Sequence, residues 1–266
     1  MHPPLPCRGA QKRTTRRIAR ARGGQEAGVR APSSPRVAWP VMYQRWERMT
    51  FIHWRYRPEQ VQALLPPQLR VEPFDGAAWV GLACFRMRDV RVPGVPALPW
   101  MSAFPETNLR TYVRDARGRT GIWFFSLDAA RLAAALGGRG GFWLPYYWSG
   151  MSVDVRDGHT RYRCRRRLPG PAGARCDADV EAGVPLVERE RDELAHFLTA
   201  RFRLFSVVAG RLATALVEHP PWPLHHAHLD GLDQSLVQAA GLPAPEGQPV
   251  LHASPGVRAR VSMWRW

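Results

Sequence analysis

The chain has 266 residues, 45% of them hydrophobic, and a formal charge of +16 from 38 basic and 22 acidic side chains. Such a length and composition suit one generous domain, and no run of about 18 apolar residues offers a membrane-spanning helix. The charge alone does not make a nucleic-acid binder: nine of the basic residues crowd into positions 1–40, and Arg supplies all but Lys12, the only lysine. An excess of Arg beside much Ala, Gly and Pro is the bias of a GC-rich genome, and the body's arginines are scattered rather than gathered on one stretch.

Cys7, Cys84, Cys164 and Cys176 show no CxxC spacing, and no apolar signal-peptide core opens the chain. The expectation is a cytoplasmic protein with reduced thiols. Residues 1–41, rich in Arg, Pro, Gly and Ser, cannot bury enough surface to offset their ordering entropy and are expected to be a disordered tail. Met42 is the preferred start of the protein proper, ahead of a basic transit segment, and residues 42–266 are expected to form one domain.

In chain order, the body predicts strands over Thr50–Tyr56, Ala78–Val90, Glu106–Arg114 and Gly121–Leu127. Helices are predicted over Pro58–Leu65, Asp128–Leu136 with a cap at Gly137-Gly138, Arg189–Ala200 and Leu232–Ala240. Asp157-Gly158 separates two alternating runs and predicts a hairpin, as does Ala209-Gly210 within Leu204–Glu218. A last strand is predicted over Val257–Trp264. More strands than helices, joined by hairpins, indicate a mainly β, antiparallel protein of the α+β class.

Few motifs carry chemistry. No GxGxxG, P-loop or Gly-x-Ser-x-Gly elbow is present, and Gly137–Gly141 reads as a flexible connection. His219, His225, His226 and His228 lie near Asp230 and Asp233, but without an HExxH pattern and in a Pro-rich stretch, so no metal and no cofactor is expected. In FWLPYYW, alternation sends Tyr146 and Tyr147 to opposite faces, while Phe142, Trp143 and Trp148 read as core. In FPETNLRTYV, Glu106, Asn108, Arg110 and Tyr112 fall on one face of a strand: an acid, an amide, a base and a phenol in alternation. Such a face is either a binding surface or a buried bracing network.

The runs RWERMTFIHWRYRPEQVQALLPPQLRVEPFDGAAWVGLACFRMRDVR, FPETNLRTYVRD, GIWFFSLDAARLAAALGG, LPYYWSGMSV, FLTARFRLFS and HPPWPL, in that order, resemble the YqjF-like family, domain of unknown function 2071. The resemblance covers about residues 42–264. That family is similar in turn to acetoacetate decarboxylases, which implies a closed, cone-like antiparallel β-barrel with a few peripheral helices. In such a barrel one strand face lines the lumen. The decarboxylases form a Schiff base on a lysine of a Gly-Phe-Pro-Lys-Lys segment, whereas the matching positions here are Trp143-Leu144-Pro145-Tyr146-Tyr147. That route is therefore closed to this chain. The resemblance implies a lumen that binds a small anionic or carbonyl-containing molecule, with Glu106 and Tyr146 as acid–base candidates. Arg110, Asn108, Tyr112, Tyr147 and His53 are the binding candidates. The alternative is a non-catalytic structural or interaction barrel; homo-oligomers fit either reading, while nucleic acid and membrane are not expected partners.

Overall fold

The computed structural model describes Met1, residues 34–98 and residues 100–266. The chain divides between Met1–Arg30 and Ala31–Trp266, and the fold described below belongs to the second unit. Up to residue 33 the expected tail lies outside the described residues. From Ser34 the chain is docked: Val37 is buried, its N–H donates to Glu218 Oε2 at 2.7 Å, and Ser34 Oγ accepts from the His219 N–H at 3.1 Å.

Twelve strands form one sheet: β1 (Pro40–Tyr56), β2 (Leu69–Val71), β3 (Ala78–Arg91), β4 (Phe104–Asp115), β5 (Thr120–Ala129), β6 (Tyr146–Arg156), β7 (His159–Leu168), β8 (Arg175–Pro185), β9 (Arg203–Val208), β10 (Arg211–Glu218), β11 (His225–Gln234) and β12 (Val250–Ser262). Their order is β10-β9-β5-β6-β7-β8-β11-β12-β1-β3-β4-β2, with further pairings of β10 with β12 and of β5 with β4. Four short helices, α1 (Pro58–Gln62), α2 (Leu132–Phe142), α3 (Glu193–Thr199) and α4 (Leu236–Ala239), complete the fold, so the expected mainly β class holds. Among the described residues no helix is long and apolar enough to cross a membrane.

The sheet is mixed rather than wholly antiparallel, because β5 runs parallel to both β6 and β9. Parallel neighbours need a crossover, commonly through a helix, and α2 sits between β5 and β6. The predicted helix over Asp128–Leu136 starts too early for a tertiary reason. Asp128 stays extended at the end of β5, where its carboxylate takes a bidentate grip from Arg166 (2.9 and 2.7 Å) and a hydrogen bond from Ser149 Oγ (2.7 Å). α2 then runs through the glycines expected to cap it and ends at Trp143, in the left-handed region at φ 52° and half exposed rather than core. Similarly, Leu232–Gln234 belong to β11 and not to a helix, so the histidine-rich stretch is a strand from His225 onward.

Both predicted hairpins are present with positive φ at the two turn residues: 49° and 86° at Asp157 and Gly158, 49° and 78° at Ala209 and Gly210. Those are the torsions of the tight turn whose twist suits antiparallel strands.

The strands β1, β3 and β4 form a wall between two apolar regions. On one side Ile52, Leu82 and Leu109 pack with Tyr162, Cys176, Val180 and Leu236. On the other, Phe51, Phe85 and Phe104 form one cluster, and Tyr112, Ile122, Phe124 and Trp264 another. Both faces of β4 are consequently buried from Glu106 to Val113. A polar face at such a place cannot be serving water.

Candidate functional site

The polar strip of β4 splits in two. Its register with β5 shifts between Leu109 and Arg110. Before the shift, Glu106 and Asn108 line an internal cavity of about 270 Å³. Beyond it, Arg110 and Tyr112 enter a buried hydrogen-bond network. The Tyr112 hydroxyl donates to the Leu198 carbonyl at 2.7 Å and meets His53 Nε2 at 2.7 Å, while Arg110 Nη2 donates to the same carbonyl at 3.2 Å. Leu198 lies in the last turn of α3, where backbone carbonyls lack helical partners, so these two side chains cap the helix. The Arg110 guanidinium also rests 4.9 Å from the Phe51 ring centre. Burial, with help from Arg110 and His252, drives His53 well below its ordinary pKa, which suits a neutral ring donating from Nε2 to Tyr112.

The cavity takes Glu106 from β4 and Tyr146 from β6, and the phenol donates to Glu106 Oε2 at 3.3 Å. Burial pushes the Glu106 carboxyl up to about 8; hydrogen bonds from Tyr146 and Asn108 pull it back, and the Asp128 charge pushes it further. Burial also drives the Tyr146 phenol well above its ordinary value, and the neighbouring Glu106 adds to that. At neutral pH both groups therefore hold their protons. A carboxylic acid kept neutral in an apolar site can donate a hydrogen bond, and it becomes a base only when the pH passes its shifted pKa.

Tyr147 points away from the cavity. Its ring lies 3.6 Å from the Arg166 guanidinium, on the side of the buried Arg166–Asp128 pair. Of the seven candidate residues, the structure thus brings Glu106, Asn108 and Tyr146 to one cavity. It places Arg110, Tyr112 and His53 in the adjoining network and Tyr147 elsewhere.

Sequence reasoning missed Arg201, which follows α3 and lines the cavity. Its Nε donates to the Phe197 carbonyl and its Nη1 to Glu72 Oε2, both at 2.7 Å, and its guanidinium lies 4.2 Å from the Phe197 ring centre. Nothing in alternation could have found a residue in a short link between helix and strand. Trp264, beyond the end of β12, also lines the cavity, and its indole N–H has no partner; the same holds for Asn108 Oδ1. Apart from Gln44 the remaining wall is apolar, with Met42, Phe85, Phe104, Phe124 and Leu144 among its residues.

Wider surface clefts of about 790 and 840 Å³ flank β1 and β12, and arginines line them. Several of these are already paired, as Arg45 is with Glu47 (2.6 Å) and Arg260 with Glu218 (3.8 Å). Of the histidine cluster, His219 is buried with its Nδ1 2.7 Å from the Pro220 carbonyl. Among the described residues one group has metal-ligand character: His159 of β7, Asp179 of β8 and Asp230 of β11, with ligand atoms within 4.8 Å of one another. Arg161 Nε already holds Asp179 at 2.9 Å, which makes this an ion-pair knot.

Gly138 of α2 faces Tyr146 so closely that a Cβ there would stand 2.2 Å from Cδ2 of the ring. The ring is half-buried and already held at Glu106, so Gly138→Ala pushes it off the carboxyl or strains the helix. Overpacking of this kind costs about 1–3 kcal/mol. The expected result is a lower melting temperature together with loss of any activity or binding that needs Tyr146; an unchanged melting temperature would contradict the packing described.

The fold is that of the acetoacetate decarboxylase-like proteins. The acetoacetate decarboxylase of Legionella pneumophila superposes with a TM-score of 0.60 over 90% of this chain and 94% of its own, at 16% identity. An acetoacetate decarboxylase-like enzyme from Sphingomonas wittichii RW1 gives a TM-score of 0.56 over 84% and 91%, at 12% identity. Identities this low establish a shared fold and nothing about activity. Residues 43–258 match the family of domain of unknown function 2071, described as an uncharacterized conserved protein, and the chain belongs to that family. The uncharacterized protein YqjF of Bacillus subtilis (strain 168) is 34% identical over 220 residues, covering 83% of this chain and 89% of YqjF.

Proposed function

We propose that the sheet closes into a barrel whose lumen binds a small carbonyl-containing organic molecule, and that Glu106 and Tyr146 exchange protons with it. Closure is supported by the extra pairings of β5 with β4 and of β10 with β12, which join strands far apart in the linear order. The observation that carries the reading is the cavity: about 270 Å³ of space beside a buried carboxyl in contact with the phenol of a half-buried tyrosine. A bracing or interaction barrel has no need of unfilled space around such a pair. The volume lies just below the roughly 300–1,000 Å³ of ordinary small-molecule sites, which suits a small ligand.

The chemistry is lysine-independent, since positions 34–266 contain no lysine. In the basic form, Glu106 takes a proton from the carbon next to the ligand carbonyl. Tyr146 turns its O–H from Glu106 to the oxygen on which charge develops, and the same carboxyl returns the proton. The test is exchange of those carbon-bound protons for deuterium, followed by NMR with small methyl ketones. Only the carboxylate form is a base, so the rate should climb as pH passes about 8. Glu106→Gln abolishes exchange, and Tyr146→Phe slows it by about 10²–10³-fold, as loss of one oxyanion donor does elsewhere. Ligand binding without any Glu106-dependent exchange would reduce the function to binding alone.

A second reading, as a partner-binding protein, draws on the β3–β4 loop, where Val92, Val95, Leu98, Trp100 and Met101 are exposed.

A further inference from the structure

The strip that suggested an anion site does not provide one. Arg110, the guanidinium on that face, gives Nη2 to the Leu198 carbonyl and rests on the Phe51 ring; its Nε has no partner among the described residues, but the residue does not line the cavity. Arg201 does line it, but Glu72 meets its Nη1 at 2.7 Å and the Phe197 carbonyl takes its Nε. The cation thus enters the cavity wall with its charge already matched. Gln44, another polar wall residue, is also occupied: its Oε1 accepts from Trp46 Nε1 and its Nε2 contacts Met42 Sδ, both at 2.8 Å.

What is left free is uncharged. Asn108 and Trp264 line the cavity, and among the described residues Asn108 Oδ1 and the Trp264 indole N–H are buried without a partner. A buried acceptor and a buried donor without partners are costly, so a ligand that supplies the complements gains from both. Apart from Glu106, Tyr146, Gln44 and Arg201, the side chains around them are aromatic, aliphatic or thioether. An ionised ligand would have to leave its hydration shell for such a wall with no unmatched cation to receive it, a heavy penalty. A neutral carbonyl or hydroxyl loses far less.

Resting on the reading of the cavity as a ligand site, we propose that it selects an uncharged, mainly apolar molecule with a single carbonyl or hydroxyl group and rejects the matching carboxylate. Asn108 Oδ1 recognises a donor on the ligand and the Trp264 N–H recognises an acceptor. The neutral Glu106 carboxyl and the Tyr146 phenol flank them as further donors. The small cavity limits the apolar body to about one ring or a short chain.

Calorimetric titration of the full chain at pH 7 tests this with matched pairs of equal length. One series comprises methyl ketones and their alcohols from propyl to phenethyl, with 4-phenylbutan-2-one among them. The other comprises the carboxylates in which the acetyl group is replaced, such as 3-phenylpropanoate. The expected result is at least tenfold tighter binding of the neutral partner in each pair. Trp264→Phe keeps the aromatic wall and removes the donor, so it should weaken ketones several-fold and leave the weak carboxylates unmoved. Carboxylates that bind as well as ketones or better, and lose that binding in Arg201→Met, would overturn the proposal while leaving the cavity as a ligand site. Failure of both series to bind a folded protein would overturn the site reading itself.

Discussion

Glu106→Gln raises the melting temperature by roughly 5–10 °C at pH 8.5 and changes it little at pH 5. The carboxyl is 2% exposed and is pushed by burial from the ordinary 4.5 to about 8, against hydrogen bonds from Tyr146 and Asn108 and with the Asp128 charge adding to the push. Between those two values the folded chain holds a proton that the unfolded chain has released. Stability that the acid form provides below pH 4.5 is therefore lost progressively as pH rises, and the loss is complete above about 8. At about 1.36 kcal/mol per unit the full loss has an upper bound of about 5 kcal/mol. Relaxation that admits some water leaves about 2–4 kcal/mol, or the stated rise for a domain of this size. Gln has the shape of the acid and no charge to lose, so it escapes the penalty. Melting curves at half-unit pH steps from 5 to 9 decide the matter. An equal gain at every pH would mean improved packing, and no gain at pH 8.5 would mean that Glu106 is not buried as an acid. A residue that weakens the fold at neutral pH while touching a cavity is better explained by what the cavity does than by what holds the sheet together.

The sequence carried the strip itself but not its division. Strict alternation identified Glu106, Asn108, Arg110 and Tyr112 as one face, and all four are buried. What alternation cannot express is the register shift at Leu109/Arg110, beyond which the same face stops lining the cavity and starts capping α3. Turn chemistry is local, which is why Asp157-Gly158 and Ala209-Gly210 could be read directly. Asp128 was misread for the opposite reason: a helix-capping residue type in the right place lost to a long-range partner, Arg166, thirty-eight positions away. The same pair of tyrosines shows both limits. Period two puts Tyr146 and Tyr147 on opposite faces, but only the pairing of β5 with β6 decides which ring meets Glu106. Arg201 lies outside strands altogether, where no periodicity operates, and Trp264, inside the predicted strand Val257–Trp264, falls past the end of β12 at Ser262.

Arg166→Met lowers stability by about 3–5 kcal/mol, and adding Asp128→Leu restores most of it. The two side chains are 2% and 0% exposed, and the guanidinium takes both carboxylate oxygens. Removing the arginine alone leaves a carboxylate in the interior with only Ser149 Oγ as partner. Removing both leaves apolar volume, and the remaining deficit is the lost stacking of Tyr147 on Arg166 at 3.6 Å. A double-mutant cycle by chemical denaturation reads the coupling directly; additive single-mutant effects would show that the pair does not act as one unit. The pair also reaches the site. Asp128 pairs with Tyr147 in the β5–β6 ladder, one step from the Leu127–Tyr146 pair that sets the phenol against Glu106. Its charge is one of the influences raising the Glu106 carboxyl, and Arg166, which pairs with it, carries the opposite charge. Arg166→Met should accordingly move the rise of the deuterium-exchange rate to higher pH, and the double replacement should move it below the native position. A shift in the same direction for both would show that the buried pair influences Glu106 by geometry rather than by charge.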